Sequence, residues 1–255
     1  MKEKGEKITV LTAYDASFAK LISEIGIEVL LVGDSLGMVI QGNHHTIPVT
    51  LKDIIYHTRC VAQGNTRSFV VADLPFMTFS SIPEALTNAA KLLRAGAAMV
   101  KIEGGGWVAE IVQALTEKGI PVAAHLGLTA QSVHALGGYK VQGRKEDEAK
   151  KLILEAKNLQ DAGATLMILE CIPHLLAAEI TSLLTIPTIG IGAGPACDGQ
   201  VLVTYDMLGF SSGYPAMTFV KDFLHGESGG VRAAIERYRD AVKQQQFPTL
   251  EHSFS

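Results

Sequence analysis

The stretch that decides the fold is residues 29–35, VLLVGDS, a short apolar run that ends in a glycine, an aspartate and a serine. A run of Val and Leu bounded by Gly is typical of a strand that is buried on both faces, as in a parallel sheet. The same pattern, an apolar strand that ends in a titratable side chain, recurs at residues 69–73 (FVVAD), 99–103 (MVKIE), 121–125 (PVAAH) and 166–170 (LMILE). Five predicted strands therefore each end in a polar residue.

Helical segments separate these strands along the chain. Apolar residues recur at helical spacing in residues 18–25, 51–55, 83–95, 107–118, 146–162, 173–184 and 221–243. Candidate strands at residues 8–12, 187–192 and 201–205 raise the number to eight, and the last of them also admits a helical interpretation. Repeated alternation without a linker predicts parallel βα units.

The length fits one particular arrangement of these units. The 255 residues match the roughly 250 residues that are typical of an eight-stranded α/β barrel. We therefore expect an α/β fold, with one TIM-type (β/α)8 barrel domain over residues 1–255. A C-terminal helix and an irregular tail from residue 247 would complete it.

The composition excludes several classes of function. The chain carries 22 Lys and Arg against 26 Asp and Glu, a formal net charge of −4, and it has no basic cluster suited to nucleic acid or to a membrane surface. Cys60, Cys171 and Cys197 have neither disulfide nor zinc spacing. No apolar run approaches the ~20 residues that span a bilayer, and the charged start is unlike a signal peptide. We expect a reduced, cytoplasmic protein with small-molecule partners.

The strand ends predict where the chemistry lies. In barrels of this kind the carboxyl ends of all strands surround one mouth, and active sites are found there. Six polar residues would then share a pocket: Asp34, Asp73, Lys101, Glu103, His125 and Glu170. Several carboxylates that close to one another repel unless a cation compensates them. A hard divalent metal such as Mg²⁺, which is held by a few carboxylates together with substrate oxygens, is the expected remedy.

Each of these residues also has a structural interpretation. A single aspartate at a strand end is more often a turn or cap residue, and Ser35 could cap the helix that follows it. Lys101 could form an ion pair with these acids or bind an anion, and His125 could donate a hydrogen bond within the core. Residues 190–194 (GIGAG) lack dinucleotide-binding spacing and indicate a tight βα turn. The segment 126–144 is long enough to be a binding loop or lid.

Eight short motifs are spread over nearly the whole chain: residues 12–15 (TAYD), 32–38 (VGDSLGM), 72–77 (ADLPFM), 100–105 (VKIEGG), 125–129 (HLGLT), 137–143 (GGYKVQG), 169–171 (LEC) and 190–194 (GIGAG). In this order they resemble the ketopantoate hydroxymethyltransferase family. The resemblance implies a Mg²⁺-dependent barrel of the phosphoenolpyruvate/pyruvate-binding kind, a homo-oligomer that is usually decameric, acting in pantothenate biosynthesis. It implies hydroxymethyl transfer from methylene-tetrahydrofolate to 3-methyl-2-oxobutanoate through a Mg-stabilised enolate.

The matching positions imply a metal site. Asp34 and Asp73 would hold the ion, and through it they would also meet the substrate. Glu103 would be a further ligand, either directly or through water.

The remaining positions imply substrate binding and catalysis. Ser35 and Lys101 would bind the carboxylate and the keto oxygen of the oxo acid, and His125 would assist by hydrogen bonding. Glu170 would be the base that removes the proton from the carbon next to the ketone.

Four features depart from the pattern of that family. His45 stands where Asp is expected, Tyr205 stands where His is common, and residues 214–218 (YPAMT) replace a stretch that usually contains Pro-Lys. The first predicted strand begins at residue 8, before which relatives usually carry an extra segment. None of these features involves the implied metal ligands, so we expect effects on the lid, the folate site, the lower cap of the barrel or the assembly contacts.

Two other interpretations remain. A lyase or mutase of the phosphoenolpyruvate type would use similar acids, but its cysteine-bearing loop motif is not visible in the sequence. A non-catalytic binding or scaffold role fits poorly with a set of titratable residues at five strand ends.

Overall fold

The computed structural model describes residues 1–210 and 217–255. Eight parallel strands close into a barrel in which each strand pairs with the next one along the chain and the last pairs with the first. The strands are β1 Ile8–Thr12, β2 Val29–Val32, β3 Phe69–Asp73, β4 Met99–Glu103, β5 Val122–Gly127, β6 Leu166–Glu170, β7 Thr188–Ile191 and β8 Gly199–Leu202. The predicted (β/α)8 barrel is therefore confirmed.

The helices lie between the strands, outside the barrel. They are α1 Ala16–Ile25, α2 Leu36–Val39, α3 Leu51–Gly64, α4 Ile82–Arg94, α5 Val108–Glu117, α6 Glu146–Asp161, α7 His174–Leu183, α8 Thr204–Met207 and α9 Gly230–Lys243, with 3-10 turns at Lys2–Lys4, Ala130–Ser132 and Leu250–His252. Among the described residues, none of the helices has the length and apolar character required to cross a bilayer.

The structure corrects two boundaries near the C-terminus. The predicted strand 201–205 ends early, because the backbone N–H of Thr204 donates to the Thr12 hydroxyl at 2.9 Å and its own hydroxyl donates to the Thr12 carbonyl, which turns the chain into α8. The helix predicted over 221–243 begins only at Gly230, since the glycines that precede it disfavour a helix. In the stretch 214–218, which differs from the family pattern, residues 214–216 lie outside the described residues.

Two apolar layers hold the barrel together. The interior is filled by a cluster contributed by the strands, with buried members Ile8, Val10, Leu31, Val71, Met99, Ala123, Leu166, Ile168, Ile189 and Val201. A larger cluster fills the space between the strands and the helices. Because side chains alternate along a strand, most of the strands contribute to both layers. The interior cluster lies below the polar residues at the strand ends, so these residues rest on a packed apolar core.

Candidate active site

Polar side chains continue the inward-facing rows of the barrel interior. Two positions after the interior apolar residues of β3 to β6 come Asp73 on β3, Lys101 and then Glu103 on β4, His125 on β5 and Glu170 on β6. Since successive side chains alternate, these polar groups lie on top of the apolar cluster, at the carboxyl end of the barrel. All are buried except Glu170, whose side chain is 20% exposed. The structure thus brings together the strand-end residues that the sequence predicts.

The turn after β2 locks Asp34 to Asp73. The backbone N–H of Asp34 donates to Asp73 Oδ2 at 2.9 Å. Gly33 leaves the required space, because a Cβ at this position would lie 3.0 Å from Ser35 Oγ and 3.5 Å from Asp73 Oδ2. The Gly-Asp-Ser sequence that ends this strand therefore allows two carboxylates and a hydroxyl to meet.

Lys101 is the buried cation of the site. Its ammonium donates to Asp73 Oδ2 at 2.9 Å and to Glu103 Oε1 at 3.0 Å. Burial favours the neutral amine, but the carboxylates of Asp73 and Glu103 outweigh it and raise the pKa of Lys101, so the side chain stays charged. These two bonds use two of the three N–H groups of the ammonium. Lys101 can therefore be an ion-pair partner and still donate to a bound anion.

A chain of contacts connects Glu103 to Glu170. Glu103 Oε1 accepts from His125 Nδ1 at 3.1 Å, and His125 Nε2 lies 3.2 Å from Glu170 Oε2, in an orientation too poor for a regular hydrogen bond. Burial disfavours the imidazolium, but Glu103 and the contact with Glu170 raise the pKa of His125 to about 9. Burial also disfavours the Glu103 carboxylate, yet Lys101 and His125 hold its pKa well below the usual range. A charged imidazolium thus lies between two carboxylates.

Gln131 is a site residue that the sequence did not reveal. Its side-chain amide donates to Asp34 Oδ2 at 3.1 Å and to the Leu74 carbonyl at 3.0 Å, and its backbone N–H donates to Glu103 Oε2 at 3.1 Å. It lies in the long segment after β5, where no strand or helix periodicity fixes the direction of a side chain. In the sequence, only the unusual length of that segment indicates that it contributes to a binding site.

The hydroxyl of Ser35 is held by Tyr14. It lies 2.9 Å from the Tyr14 hydroxyl. Ser35 occupies the N-cap position of α2, but its side chain makes no capping hydrogen bond to that helix. Tyr205, one of the departures from the family pattern, packs its ring 6.0 Å from that of Tyr14. His45, another departure, packs edge-on against His134 in the long segment.

Negative charge at the mouth is incompletely compensated. Burial, followed by repulsion from Glu103 and Asp73, raises the pKa of Asp34 to about 8. Burial also raises the pKa of Asp73 despite its contact with Lys101, and Asp73 Oδ1 is buried without a hydrogen-bond partner among the described residues. Within residues 1–210 and 217–255, no group of three or more His, Cys, Asp or Glu side chains is arranged to hold a metal ion.

The uncompensated charge predicts an effect of Asp34→Asn on stability. In the metal-free protein, folding raises the pKa of Asp34 from ~3.9 in the unfolded chain to about 8, so its charge destabilises the fold. The penalty is absent below the unfolded value and complete above pH 8. The substitution should therefore stabilise the folded protein at pH 8.5 in EDTA by about 1–4 kcal/mol. For a chain of this size, each kcal/mol raises the melting temperature by about 2–4 °C.

Melting scans of both proteins from pH 5 to 8.5 would measure this effect. The difference should grow across that range, and Asp161→Asn, which changes an exposed carboxylate on α6, should give no such trend. A variant that melts below wild type at high pH would contradict the assignment of Asp34 as an uncompensated charge.

The fold and the polar cluster together define a class of protein, the (β/α)8-barrel enzymes, whose chemistry lies at the carboxyl ends of the strands. The family model for ketopantoate hydroxymethyltransferase matches residues 1–250. A 3-methyl-2-oxobutanoate hydroxymethyltransferase of Shewanella loihica is 57% identical over 254 residues, which cover 100% of this chain and 96% of that protein. The chain therefore belongs to the ketopantoate hydroxymethyltransferase family, a family of transferases.

Solved structures of other enzymes share the fold. A 2,3-dimethylmalate lyase, described as a member of the PEP mutase/isocitrate lyase superfamily, gives a TM-score of 0.60 at 18% identity and covers 82% of this chain and 79% of its own. A phosphonopyruvate hydrolase in complex with oxalate and Mg²⁺ gives a TM-score of 0.61 at 11% identity, and the match covers 98% of this chain and 89% of the hydrolase chain. At these identities the likeness concerns the fold alone. It confirms the predicted (β/α)8-barrel fold.

Proposed function

We propose that this protein transfers a hydroxymethyl group from methylene-tetrahydrofolate to 3-methyl-2-oxobutanoate, giving 2-dehydropantoate in pantothenate biosynthesis. Membership of the ketopantoate hydroxymethyltransferase family supports this activity. The observation that carries the mechanism is the juxtaposition of two under-compensated aspartates with a carboxylate–imidazolium pair at one barrel mouth. The two aspartates suit a cation that is chelated by the carboxylate and keto oxygens of an oxo acid. The carboxylate–imidazolium pair suits proton removal from the adjacent carbon.

Asp34 and Asp73 are the residues that would hold a divalent cation. Asp73 Oδ1, which has no hydrogen-bond partner among the described residues, and the raised pKa of Asp34 both support a missing positive charge at this point. Glu103 would act through water, because both of its oxygens already accept from protein donors. Two carboxylates completed by water and substrate oxygens suit Mg²⁺. When bound, the ion would withdraw electron density from the keto group and so acidify the neighbouring C–H.

Lys101 and Ser35 would bind the oxo acid. The third N–H of Lys101 would donate to a substrate oxygen, and the two carboxylates that hold the ammonium fix its direction. Ser35 would contribute its hydroxyl, which is held by the hydroxyl of Tyr14. Both donors are oriented before the substrate arrives, which favours binding and positioning.

Glu170 would remove the C3 proton of the oxo acid. It is the only partly exposed member of the strand-end residues named above, so a substrate over the metal site can reach its carboxylate. The proton would move to a Glu170 oxygen while His125, charged and 3.2 Å away, steadies the carboxylate. The deprotonated C3 carbon would then form a bond to the one-carbon unit of methylene-tetrahydrofolate. Both C–N bonds that hold this carbon to the folate would break, water would supply the hydroxyl group of the product, and the C3 proton and one proton of that water would end on the two folate nitrogens.

We also propose that the chain acts as a cytoplasmic homo-oligomer, a decamer as the family resemblance implies. Leu154 on α6 and Leu175 on α7 are 58% and 72% exposed. Burial of such apolar side chains against another copy is favourable, which supports assembly through the outer helices.

The reaction itself is the test of the proposed activity. The purified protein, incubated with both substrates and Mg²⁺, should form 2-dehydropantoate, detectable by NMR. EDTA should abolish product formation and excess Mg²⁺ should restore it, because the ion would supply the compensating charge. A folded, metal-supplemented protein that forms no product would contradict the proposal.

A further inference from the structure

A second cleft opens beside the carboxylate site, between the loop after β3 and the start of α5. We call it the aromatic cleft, and its walls include Phe76, Met77, Phe79, Glu103, Trp107 and Gln131. Apolar side chains form one wall, while Glu103 and Gln131 supply polar groups. A concave site with aromatic walls and a few polar groups is typical of a binding site for a flat organic molecule.

Trp107 and Phe79 form the flat part of this cleft. The two rings are stacked, with centroids 5.8 Å apart and planes inclined by 11°. Phe79 is buried, whereas Trp107 is 59% exposed at the entrance to α5. Phe79 thus supports the indole ring and fixes its plane, so that Trp107 presents a preformed aromatic surface.

The loop after β3 forms a lip of the cleft with further exposed apolar side chains. Phe76 is 42% exposed and Met77 is 56% exposed. Met77 has a φ of 58°, in the left-handed region that a residue with a Cβ adopts only at a cost. Such strained residues cluster at functional sites, where the surrounding structure holds them in place.

The loop that carries this lip is held to its surroundings. The backbone N–H of Leu74 donates to the Lys101 carbonyl at 2.9 Å, and the side-chain amide of Asn88 on α4 donates to the Thr78 carbonyl at 2.8 Å. Bonds on both sides of Met77 therefore fix the loop. The exposed side chains are presented on an ordered segment.

The aromatic cleft is continuous with the proposed metal and oxo-acid site. Glu103, on its wall, accepts from Lys101 and His125. Gln131, also on its wall, donates to Asp34 at 3.1 Å. A ligand in the cleft would therefore lie next to the deprotonated carbon of the first substrate, where the second substrate of a group transfer must lie.

We propose that the aromatic cleft binds the pterin ring of methylene-tetrahydrofolate. This assignment rests on the proposed function, because that reaction needs a second site adjoining the first for a flat heterocycle. Trp107 would stack on the pterin ring, Phe76 and Met77 would cover it, and the polar wall would meet its hydrogen-bonding edge. Stacking on an aromatic side chain suits such a ring because its contact surface is flat.

The chain provides its own reporter for a test, because Trp107 is its single tryptophan. The probe is 5-formyltetrahydrofolate, titrated into the Mg²⁺-loaded protein in the presence of 3-methyl-2-oxobutanoate. We expect saturable quenching of the tryptophan emission, with a dissociation constant that calorimetry reproduces. N-acetyltryptophanamide at the same absorbance corrects for light absorbed by the probe.

Variants that retain the reporter locate the binding site. Phe76→Ala and Met77→Ala should each weaken probe binding by about tenfold and raise the KM for methylene-tetrahydrofolate more than that for the oxo acid. Tyr56→Ala, which removes a 64% exposed aromatic ring on α3, should bind like wild type. Trp107→Leu should bind the probe at least tenfold more weakly, as measured by calorimetry. Melting curves verify that each variant folds.

Four results would overturn this assignment, three of which concern binding of the probe. These three are calorimetric binding without quenching, absence of binding by calorimetry, and wild-type affinity in both the Phe76 and Met77 variants. A shift in oligomeric state in these variants, with folate affinity unchanged, would also overturn it and would make the cleft a contact between copies. Proton exchange from the oxo acid by the wild-type protein, measured without folate, tests the proposed function separately.

Discussion

Glu170→Gln should slow the removal of the C3 proton of 3-methyl-2-oxobutanoate by about 10²–10⁴-fold, the usual contribution of a positioned general base. Glutamine keeps the size of the side chain and its place at the end of β6, but its amide cannot act as a base near neutral pH. His125 Nε2, which lies 3.2 Å from a Glu170 carboxylate oxygen in the wild-type protein, would face a neutral amide instead. Deuterium incorporation in D₂O, followed by NMR, measures the rate.

Binding of the oxo acid separates this loss from a general disruption of the site. Lys101, Ser35 and the two aspartates are unchanged, so the affinity measured by calorimetry with Mg²⁺ should stay close to that of wild type. Glu179→Gln, which changes an exposed glutamate on α7, should exchange at the wild-type rate. Undiminished exchange in Glu170→Gln would show that another group is the base.

Lys101→Met should lower the stability of the folded protein by about 3–5 kcal/mol, which is typical when one partner of a buried ion pair is removed. The ammonium lies 2.9 Å from Asp73 and 3.0 Å from Glu103. Methionine fills a similar volume but leaves both carboxylates without that partner. For a chain of this size the melting temperature should fall by roughly 10 °C.

Further variants show whether charge causes that loss. Lys157→Met, which replaces an exposed lysine on α6, should melt within about 1 °C of wild type because surface substitutions have small effects. Adding Glu103→Gln to Lys101→Met should recover part of the lost stability, since one unpaired negative charge is removed. If Lys101→Met melts like wild type, the lysine is not the internal counter-ion of the site.

The sequence predicts the fold and most of the site for the same physical reason. A strand has a period of two, so an apolar residue facing the barrel interior fixes the direction of a polar residue two positions later. Asp73, His125 and Glu170 follow Val71, Ala123 and Ile168 of the interior cluster in this way. Because parallel strands all end at one mouth, their convergence could be predicted without knowing any distance.

Loop residues escape this rule. Gln131 holds Asp34 and Glu103 from the long segment after β5, and Tyr14 holds Ser35 from the segment after β1. Their positions depend on tertiary contacts that no periodicity records. The aromatic cleft was missed for the same reason, since Trp107 looks like an ordinary start of a helix until its stacking on Phe79 is seen.

The ligand roles also depend on contacts that the sequence leaves open. Glu103 lies at a strand end like Asp73, but its oxygens accept from Lys101, His125 and the backbone of Gln131. Asp73, in contrast, keeps a buried oxygen without a hydrogen-bond partner among the described residues. Two residues that look equivalent in the sequence therefore differ in their capacity to meet a metal ion directly.

In the proposed mechanism, the residues of this mouth remove the C3 proton of the oxo acid before any folate takes part. The most direct test is the NMR spectrum of 3-methyl-2-oxobutanoate in D₂O with the wild-type protein and Mg²⁺ but no folate. The C3 proton signal should disappear and the methyl doublet should collapse to a singlet, at a rate that EDTA abolishes. A doublet that persists as long as in a protein-free sample, with the protein folded and Mg²⁺ in excess, would contradict the account.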